Sequence, residues 1–207
     1  MRKHTILALS VAAALSAGCA AMMSSDDQYS AKALAMMKAS FKESGQAKLD
    51  RLDQDDMQRL CSDYADKPMP RDVAEKLERA QQALIKFPAD GKLLGDWKLG
   101  ERIAQSGVGK QYTDDPAAPS GANCYACHQL SKAELSFGTI GPPLYNFGKI
   151  RGFTPEMQKY AYSKVYNSQA FAVCSNMPRL GHAGILTEKQ IQDVVALLMD
   201  PDSPVNK

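Results

Sequence analysis

Histidine is scarce in this chain of 207 residues, which has only His4, His128 and His182. The sequence offers no Ser/His/Asp arrangement of the kind used in nucleophilic catalysis and no glycine-rich phosphate loop. The glycines of residues 107–109 indicate only a turn. Internal repeats and low-complexity tracts are also missing. Strand signals are sparse, so the sequence predicts a mostly helical, all-α fold.

Long apolar runs are confined to the N-terminus. Arg2 and Lys3 precede an apolar run over residues 6–15, and small residues follow at 16–18. This pattern is typical of an export signal and is too short to anchor the chain in a bilayer. It predicts a signal peptide over residues 1–18, with cleavage near residues 18–21. The mature chain is then expected to be soluble or lipid-tethered.

Cys19 follows a stretch that approximates a lipobox, although Leu15 stands one place too early. Cys19 is therefore a candidate lipid anchor. Alternatively, this cysteine is discarded with the signal or merely lies close to the cleavage site. The sequence leaves both alternatives open.

Neither sign of charge is in excess. The chain has 25 Lys and Arg residues against 23 Asp and Glu residues. Loss of Arg2 and Lys3 with the signal leaves equal numbers of basic and acidic residues. This balance gives no support for binding to nucleic acid or to a charged membrane surface.

Cysteine is also uncommon, yet two of the five cysteines stand in a pattern that carries chemistry. Cys124 and Cys127 are separated by two residues, and His128 follows at once. This spacing is typical of a c-type haem site, in which both thiols form thioethers and the histidine ligates the iron. A bare C-x-x-C also occurs in zinc sites and redox dithiols, but no second ligand pair follows here. Covalent haem c is therefore the favoured prediction, and export agrees with a periplasmic location.

The chain divides near residues 87–91 into a helical N-terminal extension (residues 22–91) and a monohaem domain (residues 92–207). Helical periodicity predicts three amphipathic helices in the extension. Their apolar faces carry Leu34, Met37 and Phe41 in the first, Leu49, Leu52, Met57 and Leu60 in the second, and Val73, Leu77, Ala80 and Leu84 in the third.

The second part contains clear helix signals. A helix is predicted over residues 96–106, with Gly100 allowing close approach of another helix. Thr154 with Pro155 predicts the start of a second helix. Thr187 with Gln190 forms the capping box of the last helix.

The sixth iron ligand is predicted to be Met177, which precedes a proline in an irregular segment before the last helix. The proline keeps that segment extended and could present the thioether to the iron. Met157 and Met199 lie in predicted helices, where methionine usually fills the core. His182 is the alternative ligand.

The remaining cysteines, Cys61 and Cys174, are predicted to form a disulfide in an oxidising compartment. Such a bridge would tie the extension to the segment that carries Met177. Two alternatives stay open: a free Cys174 thiol that sulfur compounds could modify, or two separate buried thiols.

The order of these parts resembles class I c-type cytochromes. The shared elements are a first helix, C-Y-A-C-H, G-P-P-L at residues 141–144, a methionine loop and a closing helix. The resemblance implies the class I cytochrome c fold with one haem c. It further implies that the carbonyl of Pro142 accepts a hydrogen bond from the His128 imidazole, outside the iron's own ligands.

Residues 140–144, 173–181 and 186–194 are similar to SoxX, the small cytochrome family of the thiosulfate-oxidising SoxAX complex. This resemblance implies the electron-accepting subunit of a haem-dependent L-cysteine S-thiosulfotransferase. Its partners would be a SoxA-like cytochrome with the catalytic haem, a thiosulfate carrier protein with a reactive cysteine, and a small cytochrome c acceptor. No catalytic residue is assigned to this chain. The alternatives are a free-standing periplasmic electron shuttle and a haem peroxidase-type enzyme.

Overall fold

The computed structural model describes residues 25–207. The predicted signal peptide, its cleavage positions and Cys19 lie outside the described residues. Within residues 25–207 the chain forms helices and no β-strand, so the predicted all-α fold is confirmed. The α-helices are α1 (Ser25–Ser40), α2 (Asp56–Asp63), α3 (Arg71–Ala83), α4 (Trp97–Gln105), α5 (Phe147–Arg151), α6 (Pro155–Tyr166) and α7 (Glu188–Met199). Short 3₁₀ turns cover Leu49–Leu52, Cys124–Ala126, Ser168–Ala170 and Pro204–Asn206.

The chain separates into two compact units, Met1–Lys42 and Glu43–Lys207. The described part of the first unit is chiefly α1, on which Leu34 and Met37 are exposed. The predicted boundary near residue 91 falls inside the second unit, which contains α2 and α3 as well as α4 to α7. None of the helices in residues 25–207 has the length and apolar character needed to cross a membrane.

The core of the second unit is built around α7, because its apolar residues face several elements at once. Buried side chains of this helix include Ile191, Val195 and Leu197. They join Leu130 and Tyr162 in one continuous apolar cluster. Burial of these large side chains supplies the main favourable free energy of folding.

Gly100 allows α4 and α7 to cross in close contact, as the sequence predicts. A Cβ atom at this position would lie 2.0 Å from the backbone oxygen of Asp193 and 3.1 Å from Cβ of Leu197. The side chain of Asp193 also accepts a hydrogen bond from the amide of Asp96 at 2.8 Å. Helices α4 and α7 are therefore held in close contact, and the hydrogen bond between Asp193 and Asp96 joins α7 to the start of α4.

The predicted helix starts in this part are confirmed. Thr154 accepts a hydrogen bond from the Met157 amide with Pro155 at the first helical position, and Thr187 forms its capping box with Gln190. Side-chain oxygens at these positions satisfy amides that have no partner within the helix.

The second helical pattern of the extension is divided, contrary to the continuous helix predicted. Leu49–Leu52 is a 3₁₀ turn, and α2 begins only at Asp56. Asp55 caps α2: its side chain accepts from the Gln58 amide, while the Gln58 side chain accepts from the Asp55 amide. Aspartate favours this position over a helix interior, because its carboxylate can bond nearby backbone amides.

Candidate functional site

The two thiols and the imidazole of the C-x-x-C-H motif come from one tight turn. Asn123 has a left-handed backbone (φ 46°) and leads into the 3₁₀ turn Cys124–Ala126. The amides of Cys127 and His128 both donate to the Cys124 carbonyl, at 3.1 and 2.8 Å. Cys124 and Cys127 are half-buried and take part in no disulfide. The turn therefore brings the two predicted thioether positions and the predicted axial ligand together.

The contact that the family resemblance implies for Pro142 is present. Nδ1 of His128 lies 2.6 Å from the Pro142 carbonyl oxygen. A carbonyl oxygen can only accept, so Nδ1 carries the proton and Nε2 keeps its lone pair. This arrangement suits a histidine that ligates metal through Nε2, because the hydrogen bond at Nδ1 fixes the orientation of the ring.

The chain around Pro142 is held against the motif by backbone hydrogen bonds. The Gly141 amide donates to the Cys127 carbonyl at 2.8 Å, and the Leu144 amide donates to the Gln129 carbonyl at 2.7 Å. A Cβ atom on Gly141 would lie 2.2 Å from Cε1 of His128. Glycine is therefore required here so that the backbone can lie against the imidazole.

Burial raises the pKa of the Cys124 thiol to about 12. The thiol of the haem-free chain is therefore protonated at neutral pH, and a thiolate form would be disfavoured in this apolar surrounding.

Met177 lies at the edge of the apolar core. It is half-buried and packs against the core cluster. Its carbonyl accepts a hydrogen bond of 2.5 Å from the Ser168 hydroxyl, and its amide donates to the Ser175 hydroxyl at 3.2 Å. The backbone on both sides of the thioether is thus held in place by short polar side chains.

The other ligand candidates have different surroundings. Met199 is 1% exposed within α7 and Met157 packs against the same core cluster, both as expected of packing residues. Burial lowers the pKa of His182, the positive charge of Arg179 lowers it further, and Asp55 opposes the shift. His182 therefore belongs to a charged cluster with Arg179 and Asp55.

The structure joins Cys61 of α2 to Cys174 by a disulfide, with 5.4 Å between their Cα atoms. The bridge spans 113 residues of sequence and ties the extension to a position three residues before Met177. In the chain-entropy account, closing so long a loop removes about 4–5 kcal/mol of freedom from the unfolded chain.

A second tie joins the extension to the segment that follows Met177. The Arg179 guanidinium forms an ion pair with the Asp55 carboxylate. The Arg179 side chain is only 11% exposed, and the Asp55 carboxylate compensates its largely buried positive charge. Asp55 is not among the residues predicted from the sequence, although the Asp55/Gln58 capping pattern marks a helix start.

A third tie comes from α3. The Asn167 side-chain amide donates to the backbone and side-chain oxygens of Gln81, at 3.2 and 2.9 Å. The Gln82 side chain donates to the Ala170 carbonyl at 2.8 Å. These contacts hold the 3₁₀ turn whose Ser168 bonds to Met177. No local sequence signal marks Gln81 or Asn167, because each contact joins residues more than eighty positions apart.

The Asp55–Arg179 pair makes stability depend on pH. Burial raises the pKa of Asp55, but hydrogen bonds from the Gln58 amide and Arg179 outweigh this effect and hold it below its ordinary value of 3.8. A depressed carboxylate pKa gives stability that is complete above the ordinary value and lost as pH falls through the folded value. Asp55→Asn keeps a capping side chain, so it should cost about 1 kcal/mol at neutral pH through the lost charge, because solvent screens a carboxylate that is 42% exposed.

Denaturant unfolding of the wild type and Asp55→Asn near neutral pH and in acid measures this effect. The difference between the two proteins should shrink in acid. Asp56→Asn is the control, because Asp56 forms an exposed pair with Arg59 whose loss should change stability by about 0.5 kcal/mol or less. Equal stability of the wild type and Asp55→Asn near neutral pH would contradict this assignment.

The donor set fits haem c. It supplies two thiols at the thioether spacing, an imidazole with Nε2 available, and a thioether side chain at the core edge. Within residues 25–207 no group of three or more His, Cys, Asp or Glu side chains is placed to hold a metal ion. The Cys124 and Cys127 pair therefore has no further ligands of these types for a zinc site in the described part of the chain.

The structure combines a helical domain, a C-x-x-C-H turn, a histidine whose Nδ1 is hydrogen-bonded to a proline carbonyl, and a methionine loop. This combination defines a c-type cytochrome. Comparison with known proteins agrees, since the cytochrome c family model matches residues 117–200. The chain is also similar to an uncharacterized lipoprotein of Aquifex aeolicus (strain VF5). The two are 39% identical over 158 residues, which cover 74% of this chain and 73% of that protein.

Residues 117–200 are a cytochrome c domain, and the chain is therefore a c-type cytochrome, an electron-transfer protein with covalently bound haem c.

Proposed function

We propose that this cytochrome carries a single haem c with His128 and Met177 as axial ligands and serves as the electron-accepting subunit of a SoxAX-like complex. The observation that carries the proposal is the anchoring of the Met177 segment. Its backbone is bonded to Ser168 and Ser175, and its flanking residues are tied to the extension by the Cys174 disulfide and the Arg179 ion pair. A segment fixed in this way suits a permanent ligand.

Haem c, when bound, supplies a one-electron redox couple. Cys124 and Cys127 would hold it covalently, and His128 Nε2 and the Met177 sulfur would ligate its iron. The Pro142 carbonyl fixes the proton on Nδ1 of His128. A methionine ligand raises the reduction potential relative to a second histidine, which favours electron acceptance. Two permanent protein ligands leave no open position for substrate, which argues against a peroxidase.

The proposed reaction belongs to the complex as a whole. A SoxA-like partner with its own haem would couple thiosulfate oxidatively to a cysteine of a carrier protein, releasing two electrons as a cysteine S-thiosulfonate forms. This chain would accept those electrons one at a time and pass them to a small cytochrome c. The assignment to the SoxX family is supported by residues 173–181, whose cysteine and arginine form two of the ties described above and whose methionine is bonded to Ser168 and Ser175.

The proposed location is the periplasm, with Cys19 as a lipid anchor. The basic residues and apolar run before Cys19 support export. That the Aquifex aeolicus relative is named a lipoprotein supports lipid attachment.

Co-expression with a SoxA-like subunit, in a host that matures c-type cytochromes, tests the proposed partnership. We expect the two chains to purify as a heterodimer. Thiosulfate should then reduce the haem of this chain only when the partner and the carrier protein are present. Met177→Ala separates assembly from electron acceptance, since it should still assemble but show little reduction.

A chain that purifies alone and shows no thiosulfate-dependent reduction in the presence of both proteins would contradict the partnership. If that chain still exchanged electrons rapidly with a small cytochrome c, the free-standing shuttle would be the better description.

A further inference from the structure

A cleft of about 740 Å³ opens onto the Cys61–Cys174 disulfide. Its walls include Cys61, Tyr64, Met69, Glu78, Cys174 and Asn176. Cys174 is exposed and Cys61 is half-buried, so solvent reaches the bridge. Volumes of this order accommodate small organic molecules. Exposed disulfides are also more readily exchanged with thiols than buried ones.

Cys174 is held in an unfavourable backbone conformation. Its φ is +60°, in the left-handed region that residues other than glycine rarely adopt. Such a conformation persists only where the surroundings impose it. The disulfide is one such constraint, so opening it allows Cys174 to relax toward an ordinary backbone conformation.

The relaxation would act on Met177, which lies three residues further along the chain. Opening the bridge removes one of the three ties between the extension and this segment. The Asp55–Arg179 pair and the α3 contacts with residues 167–170 remain. The expected change is therefore local and confined to the methionine segment, while the rest of the second unit stays folded.

We propose that this cleft is a thiol–disulfide exchange site for a small neutral thiol and that opening the bridge weakens Met177 as an axial ligand. The inference rests on the proposed role of Met177. In the first step a thiolate attacks the Cys174 sulfur, forming a mixed disulfide and releasing Cys61 as a thiolate. A second thiolate then attacks the mixed disulfide, giving the oxidised small disulfide and the Cys174 thiolate. Both cysteines take protons from water.

The chemistry of the cleft wall favours a neutral thiol. Among the described residues that line the cleft, Glu78 alone carries a formal charge. Its carboxylate disfavours small thiols that carry a carboxylate of their own in addition to the reacting sulfur, since like charges repel across a few ångströms.

The test treats the folded holoprotein with a neutral dithiol and then caps the exposed thiols with iodoacetamide. The haem is next reoxidised, because the dithiol reduces it. Mass spectrometry counts the alkylated cysteines, and the red absorption band of methionine-ligated ferric haem reports on Met177. Carbon monoxide affinity of the ferrous form reports how readily the sixth position opens.

We expect alkylation at Cys61 and Cys174, loss of most of the red band, and about a tenfold gain in carbon monoxide affinity, because apparent affinity scales with the fraction of open sites. The double variant Cys61→Ser with Cys174→Ser should show the same spectrum without dithiol. Ala74→Phe, which places a large ring in the cleft, should slow alkylation about tenfold while leaving the spectrum of the bridged protein unchanged.

An unchanged red band after both cysteines are alkylated would overturn the proposal, because Met177 would then be independent of the bridge. Alkylation that requires denaturant would also overturn it, since the cleft would not admit the thiol. A red band missing from the untreated protein would instead contradict the proposed Met177 ligation itself. The two failures are therefore distinguishable.

Discussion

Replacing Met177 with alanine is expected to empty the sixth coordination position and to lower the reduction potential on the order of a hundred millivolts or more, within the roughly 0.8 V range that axial ligands span. The reason is that a thioether stabilises ferrous iron more than water or hydroxide does. The variant should lose the red band of the ferric protein and bind carbon monoxide when reduced. Potentiometric titration and absorption spectra measure both effects.

Three matched variants separate ligation from packing. Met157→Leu and Met199→Leu keep apolar volume at two core positions, so the reduction potential should stay unchanged. His182→Gln removes the alternative ligand, and the potential should again be retained. If His182→Gln lost the native spectrum while Met177→Ala kept it, the ligand assignment would be wrong.

Replacing Gly100 with valine is expected to destabilise the folded holoprotein by about 3 kcal/mol, the upper end of the usual cost of overpacking. The new Cβ would meet the Asp193 backbone oxygen at 2.0 Å, and a backbone atom cannot move away unless α4 and α7 separate. The gain of at most about 1 kcal/mol from removing a helical glycine is smaller than this cost. The midpoint of denaturant unfolding measures the change.

Gly184→Ala is the control for this comparison. Gly184 has a φ of +63°, so alanine is strained there, but a Cβ meets nothing within 4 Å. Its cost should be limited to about 1–2 kcal/mol from the left-handed backbone. If Gly100→Val were as stable as the wild type, α4 and α7 would not be packed as described.

The features that could be predicted well from the sequence are those that depend on local residue patterns. The C-x-x-C-H spacing gives the attachment site, and the Thr187–Gln190 capping box gives the start of α7. Pro142 was named only through the family resemblance, because nothing in the spacing of residues 128 and 142 requires their contact.

The features that sequence missed depend on long-range contacts or on competing local signals. The Asp55–Arg179 pair joins residues 124 positions apart, and no periodicity encodes it. The division before α2 was missed because apolar residues continue across it, although the cap at Asp55 was visible. On α1, Leu34 and Met37 are exposed, so periodicity identified a helix but not a buried face.

The central claim is that Cys124 and Cys127 attach one haem covalently. The intact mass of the denatured, reduced and alkylated protein, produced in a host that matures c-type cytochromes, tests this claim most directly. We predict the mass of the processed chain plus one haem, with alkylation at Cys61 and Cys174 but not at Cys124 or Cys127. A chain without the added haem mass, in which Cys124 and Cys127 are both alkylated, would contradict the account.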